Sequence, residues 1–301
     1  MSHDHSKMGV IQGIAAFSIW GLMPSFWKLL GDVPAVELLC HRMIWSLVFV
    51  VIVLTFTKGW RALLIACRAP RTLLFFVGTS LCLGTNWVIF LYGVQTARVV
   101  ECSLGYYINP LLNVALGALL LKEKKRRLQW VAVAFATVGV LYESTALDSF
   151  PWIAMSLAVS FGTYGLLRKI AVLGSLQGMA LETAIFFPFA LGWILCLGYT
   201  GEAAVGDMPT ARKFILASSG VATTIPLLLF AASARKVHFS TLGIMQYIAP
   251  SLMFLQGVLI YDEPFPKGRL ITFAFIWTGV IIYAIEGILN HRTAAGAGGR
   301  R

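Results

Sequence analysis

Ten apolar runs, most of them close to the length of a bilayer-crossing helix, leave this chain almost no choice of solvent. They fall at about 9–30, 34–56, 72–95, 99–121, 129–146, 150–167, 176–199, 212–234, 240–260 and 269–289. A hydrocarbon core about 30 Å thick needs roughly 20 predominantly apolar residues to cross it as a helix. Backbone N–H and C=O groups have no water to bond there, so such runs must satisfy them internally, as α-helices. The sixth run is short for this purpose. Composition agrees: 58% of the residues are hydrophobic and only 12% charged, with mean hydropathy +0.80, too little polar surface for a soluble domain of 301 residues.

The net charge of +11 would suit nucleic acid, but the basic residues sit in short clusters between apolar runs, which is the positive-inside pattern instead. With the N-terminus cytoplasmic, most of the 24 Lys and Arg residues fall on the inner side: Lys7, Lys58–Arg71, the KEKKRR loop at 122–127, Arg168–Lys169, Arg235–Lys236 and the C-terminal Arg292, Arg300 and Arg301. Asp32, Glu143, Asp148, Glu202, Asp207, Asp262 and Glu263 favour the outer side. This alternation predicts ten spans with both termini cytoplasmic, in a multi-pass protein of a bacterial inner membrane. The KEKKRR loop reads as a topology anchor against anionic lipid. The first run, reaching Leu30, is too long for a signal peptide and lacks a small-x-small cleavage site. Thr293–Arg301, rich in Ala, Gly and Arg, is expected to be a disordered tail. The five scattered cysteines, with no CxxC, argue against a disulfide framework or zinc site, and neither a metal nor a cofactor is expected.

The chain matches itself at an offset of 140 residues. Tyr107, Ile108, Pro110, Leu112, Gly117, Leu119 and Glu123 meet Tyr247, Ile248, Pro250, Leu252, Gly257, Leu259 and Glu263; farther on, Ala134, Phe135, Gly139 and Val140 meet Ala274, Phe275, Gly279 and Val280. Apolar composition inflates chance matches, but Tyr, Pro, Gly and Glu at fixed spacing need another cause. The match fades upstream, where Trp20–Gly21 resembles Tyr164–Gly165 at a slightly different offset. The expected fold is therefore all-α and integral to the membrane. Its ten helices form two five-helix repeats, 1–146 and 147–289, followed by a cytoplasmic tail at 290–301. Because five is odd, the copies enter the membrane from opposite sides. Inverted repeats mark secondary transporters, whose site lies near the midplane at the repeat interface; an old duplication kept for packing is the plainer alternative.

Several stretches together resemble one family: FSIWGLMPSFWKLL (17–30), VELLCHRMIWS (36–46), GTNWVIFLYGVQ (84–95), the run 101–130 with SLGYYINP, TTIPLLLFAASAR (223–235), STLGIMQYIAPSLMFL (240–255) and ITFAFIW (271–277). They are similar to the drug/metabolite transporter superfamily, specifically its EamA family, over nearly the whole chain. The resemblance implies ten helices in two inverted halves. It also implies a central cavity lined by spans one to four and six to nine, peripheral fifth and tenth spans, and solute movement, often efflux. It fixes no substrate.

Polar residues within the runs supply the candidate site, since an ionisable group at a helix centre costs roughly 2.5–3.5 kcal/mol on insertion scales. Arg42 could grip a carboxylate or phosphate-like group, with Glu37 or His41 exchanging a proton; alternatively Glu37 and Arg42 form an internal pair. Asn86 offers an amide to a solute or bridges to a neighbouring helix. Span four brings Tyr106, Tyr107, Asn109, Pro110 and Asn113, and span nine Gln246, Tyr247 and Pro250. Pro110, Pro226 and Pro250 are candidate helix breaks, and paired breaks point to a transporter site. Trp20 and Tyr164 either flank the cavity or pack. Glu182 is a candidate proton-coupling carboxylate or a satisfied structural one.

The function expected is secondary active transport of a small polar or amphipathic solute by alternating access, with proton coupling an open option. No Walker A motif is present, so ATP driving within the chain is not expected. No HExxH or acidic metal cluster supports an intramembrane enzyme, which stays a weaker alternative beside a lipid flippase. The expected partners are a small-molecule solute and the lipid bilayer, without nucleic acid; a homodimer is left open.

Overall fold

A computed structural model describes residues 3–96, 98–145, 150–206, 208–261 and 267–298. Among the described residues there is no strand. The helices are α1 (His3–Trp27), α2 (Ala35–Phe56), α3 (Trp60–Cys67), α4 (Pro70–Gln95), α5 (Val99–Leu119), α6 (Arg127–Ser144), α7 (Trp152–Ile170), α8 (Ser175–Thr200), α9 (Thr210–Lys236), α10 (Phe239–Met245), α11 (Ile248–Leu259) and α12 (Lys267–Gly298). Of the acids and bases in the charge pattern, Asp148, Asp207, Asp262, Glu263, Arg300 and Arg301 lie outside the described residues.

Among the described residues seven stretches are long and apolar enough to cross a membrane: Ser6–Leu30, Ala35–Phe56, Pro70–Gln95, Ser175–Thr200, Thr210–Ala234, Phe239–Leu259 and Leu270–Gly287. The chain is thus a multi-pass helical membrane protein. Helices α5, α6 and α7, at 21, 18 and 19 residues, match the other three expected spans in length but not in apolarity. Much of their polarity is turned inward: Glu101, Asn109, Asn113, Glu143, Ser160 and Arg168 are all buried. Helix α3 falls in the stretch read as a basic inner loop. It is amphipathic, burying Leu63 and Ala66 while Leu64 and Ile65 stay exposed, a pattern suited to the membrane surface. The stretch from Thr293, expected to be disordered, continues α12 as helix to Gly298; alanine, the best helix former, is frequent there.

The three prolines singled out as breaks behave differently. Helices α5 and α9 run on past Pro110 and Pro226. Only at Pro250 is the helix interrupted, between α10 and α11 at Gln246–Tyr247. A proline ring clashes with the carbonyl four residues earlier, which for Pro250 is that of Gln246. Within α5 the disturbed turn receives help from outside, because the Tyr247 hydroxyl donates to the Tyr107 carbonyl at 3.2 Å.

Close crossings are made at glycines. A Cβ on Gly139 of α6 would meet the Thr272 carbonyl at 3.0 Å and Ile276 at 3.1 Å; one on Gly279 of α12 would meet the Ala132 carbonyl at 2.5 Å and the Ala136 nitrogen at 3.4 Å. Numbers rise along α6 as they fall along α12, so these helices run antiparallel, with Phe135 and Phe275 ring to ring at 6.1 Å. Helix α5 likewise runs antiparallel to α10 and α11: Gly117 faces Ser240, while Gly243 lies against Asn113 and the Pro110 carbonyl. The principal helix contacts pair α1 with α9 and α11, α5 with α7, α4 with α7 and α8, α2 with α8 and α9, α5 with α10, and α6 with α12. Exchanging α1 with α7, α2 with α8, α4 with α9, α5 with α10–α11 and α6 with α12 returns these pairs; the contact of α7 with α9, whose counterpart would join α1 to α4, is the exception.

Candidate functional site

Between α1, α2, α4, α5, α7, α9 and α11 lies a cavity of about 590 Å³, large enough for a drug-sized solute. Its walls are mostly aromatic and aliphatic, including Phe17, Trp20, Trp27, Trp87, Phe90, Phe161, Leu227 and Phe254, with Arg42, Asn86, Ser103, Tyr106, Tyr107, Asn109, Thr223 and Gln246 as the polar insertions. Among the described residues no Asp or Glu lines it. Phe273 of α12 also reaches it, so a helix expected at the periphery contributes one ring.

The cavity has a direction. Helix α1 runs parallel to α10 and α11, since Gly13 lies against Met245, Gly21 against Leu252 and Ser25 bonds Gln256. The C-terminal ends of α1 and α11 and the N-terminal end of α5 therefore share one face of the bundle. Trp27, Val99, Val100 and Val258 carry the lining to that face, where Val99 and Val100 are exposed. The opposite face is bolted. Glu123 accepts the backbone N–H of Phe239 at 2.6 Å and of Ser240 at 3.2 Å, the Ser240 hydroxyl also bonds it, and Lys125 pairs with it at 2.9 Å. The Lys169 ammonium donates to the carbonyls of Ala234 and Val237, Arg235 to those of Ala171 and Leu173, and Lys236 to Gln12. Glu123 and Lys125 belong to the KEKKRR loop, so that loop builds the closed face as well as carrying charge. The repeat match of Glu123 was the signal for this role; Glu263, its counterpart, lies outside the described residues.

Arg42 occupies the wall between two indoles. Its guanidinium carbon is 4.6 Å from the Trp27 ring centre and 5.8 Å from that of Trp87, and Nε donates to the Thr223 hydroxyl at 2.9 Å. Among the described residues no carboxylate pairs with it. Glu37, the partner considered from sequence, turns away: its oxygens accept the N–H groups of Ala204 and Val205 at 3.1 and 3.3 Å and approach His41 Nε2 at 3.9 Å.

The other singled-out residues divide. Trp20, Arg42, Asn86, Tyr106, Tyr107, Asn109, Gln246 and Pro250 line the cavity, whereas His41, Asn113, Tyr164, Tyr247, Pro110 and Pro226 do not. The Asn86 amide nitrogen donates to the Leu157 carbonyl at 3.0 Å and the Ser160 hydroxyl at 3.1 Å, bridging α4 to α7. Asn113 donates to Gln246 Oε1 at 2.9 Å, while the buried Asn109 Oδ1 has no hydrogen-bond partner among the described residues. Tyr164 lies behind the cavity floor, stacked on Phe230 at 6.2 Å, and its hydroxyl donates to Glu182 at 3.3 Å. Glu182 faces Arg168 at 3.6 Å in a wholly buried pair. It also borders a void of about 10 Å³ whose other walls include Arg42, Leu83, Trp87 and Thr223, all four shared with the main cavity. The Arg168 role was not legible in sequence, because its place in the basic Arg168–Lys169 pair reads as a topology signal.

A multi-pass helical bundle enclosing a solute-sized cavity that runs to one face and is closed at the other belongs to the class of membrane transporters. The EamA-like transporter family model matches residues 7–144. A protein of Vibrio cholerae described as an uncharacterized transporter is 40% identical over 94% of this chain and 94% of its own length. Protein RarD of Escherichia coli is 38% identical over 97% and 99%, respectively, and a chloramphenicol-sensitive protein RarD of Pseudomonas aeruginosa is 30% identical over 92% and 93%. The chain belongs to the EamA-like transporter family and is RarD-like along nearly its full length. One solved crystal structure superposes with a TM-score of 0.68 at 19% identity, covering 91% of this chain and 96% of that one, a likeness of fold alone.

Proposed function

We propose that this protein is a secondary carrier of a small amphipathic solute, working by alternating access in a bacterial inner membrane. Its ten spans would be α1, α2, α4, α5, α6 and their counterparts α7, α8, α9, α10–α11, α12. The observation that carries this reading is the cavity of about 590 Å³ set between two sets of helices most of whose contacts interchange. Antiparallel packing of matched helices, as in α6 on α12, supports inverted repeats, and such halves can trade the open and closed roles.

The closed face carries Lys7, the KEKKRR loop, Arg168, Lys169, Arg235 and Lys236. The positive-inside rule assigns that face to the cytoplasm, making this the outward-facing conformation with both termini inside. Glu182, beside the small void next to Arg42, is the coupling carboxylate in this scheme. Glu37, held by two backbone N–H groups, serves the α2–loop junction.

Counterflow in proteoliposomes tests the proposal. Labelled solute should accumulate against an unlabelled internal pool and be recovered chemically unchanged. Chemical conversion would instead favour an enzyme, and scrambling of labelled lipid in the same vesicles a flippase.

A further inference from the structure

We infer that the solute is a small organic anion, a carboxylate carried on a flat apolar body, held by Arg42 between Trp27 and Trp87. This deepens the carrier reading and rests on it for the claim that the bound molecule is transported.

A guanidinium has five N–H donors in a rigid fork. One of them, on Nε, is used by Thr223. Among the described residues no carboxylate lies within ion-pair distance of the rest, and the cavity they face has no Asp or Glu in its walls. An uncompensated cation within a span is expensive, and two indole faces at 4.6 and 5.8 Å return only part of that. The missing counter-charge is one a planar carboxylate can supply through two parallel N–H···O bonds.

Cations are disfavoured by the same arrangement. The Trp27 and Trp87 faces that would attract an ammonium are already occupied by Arg42. Among the described residues nothing acidic lines the cavity to receive an ammonium, so a zwitterion fares worse there than a simple anion. The remaining lining is apolar and aromatic, suited to a hydrocarbon or aryl body. Asn109, 3% exposed, presents a buried Oδ1 without a partner among the described residues, an acceptor for one hydroxyl or amide N–H on that body.

The test uses the purified full-length protein and three matched probes: 3-phenylpropionate, 3-phenylpropanamide and 3-phenylpropylamine, titrated calorimetrically at neutral pH and low salt. The anion should bind on the order of tenfold more tightly than the amide, with the amine weakest. Arg42→Gln should bring anion and amide to nearly equal affinity, and Arg42→Lys should restore only part of the difference. No binding of the anion, or equal binding of all three by the unaltered protein, overturns the inference without any variant having to fold. Retention of the anion preference in Arg42→Gln overturns it as well. Counterflow with labelled 3-phenylpropionate separates this claim from the carrier reading. Charge-selective binding without exchange would leave the receptor and remove the carrier; exchange restricted to cationic solutes would do the reverse.

Discussion

Tyr247 donates its hydroxyl to the backbone carbonyl of Tyr107 at 3.2 Å, joining two residues that coincide when the sequence is offset against itself by 140 positions. The bond crosses the antiparallel seam of α5 and α10–α11 beside the turn that Pro110 disturbs. Removing it in Tyr247→Phe should lower stability by about 1 kcal/mol, the usual net worth of a buried hydrogen bond. The unfolding midpoint in detergent checks this, and an unchanged midpoint would deny the bond any structural role.

The α6–α12 crossing offers a prediction about order. A methyl group at Gly279 would stand 2.5 Å from a backbone carbonyl, whereas at Gly139 the nearest contact is 3.0 Å. Backbone cannot swing aside as a side-chain tip can, and overpacking typically costs about 1–3 kcal/mol. Gly279→Ala should therefore destabilise more than Gly139→Ala. Thermal unfolding of the two variants side by side would expose a reversed order.

Much of this architecture could be read from residues alone, and the failures have physical causes. Apolar length locates most helices, and the repeated Tyr, Pro and Gly positions fall at the seams where Tyr107 meets Tyr247 and Gly139 meets α12. Arg42, Asn86, Asn109 and Gln246 stand out because polar groups within apolar runs need a reason to be there. What escapes is anything decided by three-dimensional neighbours. Glu123 reads as one charge among many in a loop, although it receives two backbone N–H groups from α10. His41 and Arg42 are adjacent in sequence, yet helical rotation places only Arg42 on the cavity. Pro110 and Pro250 look equivalent, but only α10–α11 breaks.

Acid should loosen the closed face. Burial alone would push the Glu123 carboxyl up, but bonds from His238, Lys125, Ser240 and the Phe239 N–H outweigh it and hold its pKa well below the ordinary 4.5. A carboxylate lowered in this way contributes stability that is fully present above the unfolded value and lost as pH falls through the folded one. The stability difference between the unaltered protein and Glu123→Gln should thus be constant at neutral pH and shrink as pH drops below about 4.5. Glu123→Gln should also expose cysteines placed in α10 to labelling from the basic face at pH 7. A pH-independent difference, or no gain in labelling, would contradict the lock.

The Arg168–Glu182 pair separates a structural role from a coupling role. Both side chains are almost fully buried, and Arg168 Nη2 additionally holds the Ser175 carbonyl at 2.9 Å. Removing one member strands the other charge out of water, which costs about 3–5 kcal/mol. Glu182→Gln should therefore destabilise strongly, and Arg168→Met combined with Glu182→Gln should recover much of the loss because no unpaired charge remains. Stability alone would be the same whether the pair merely packs or also carries a proton. The pH dependence of counterflow is what differs. If Glu182 takes up and releases the proton that accompanies the solute, exchange in the double variant continues without its dependence on pH. If that dependence survives intact while the fold is restored, the pair is structural and the coupling group must be sought elsewhere along the cavity.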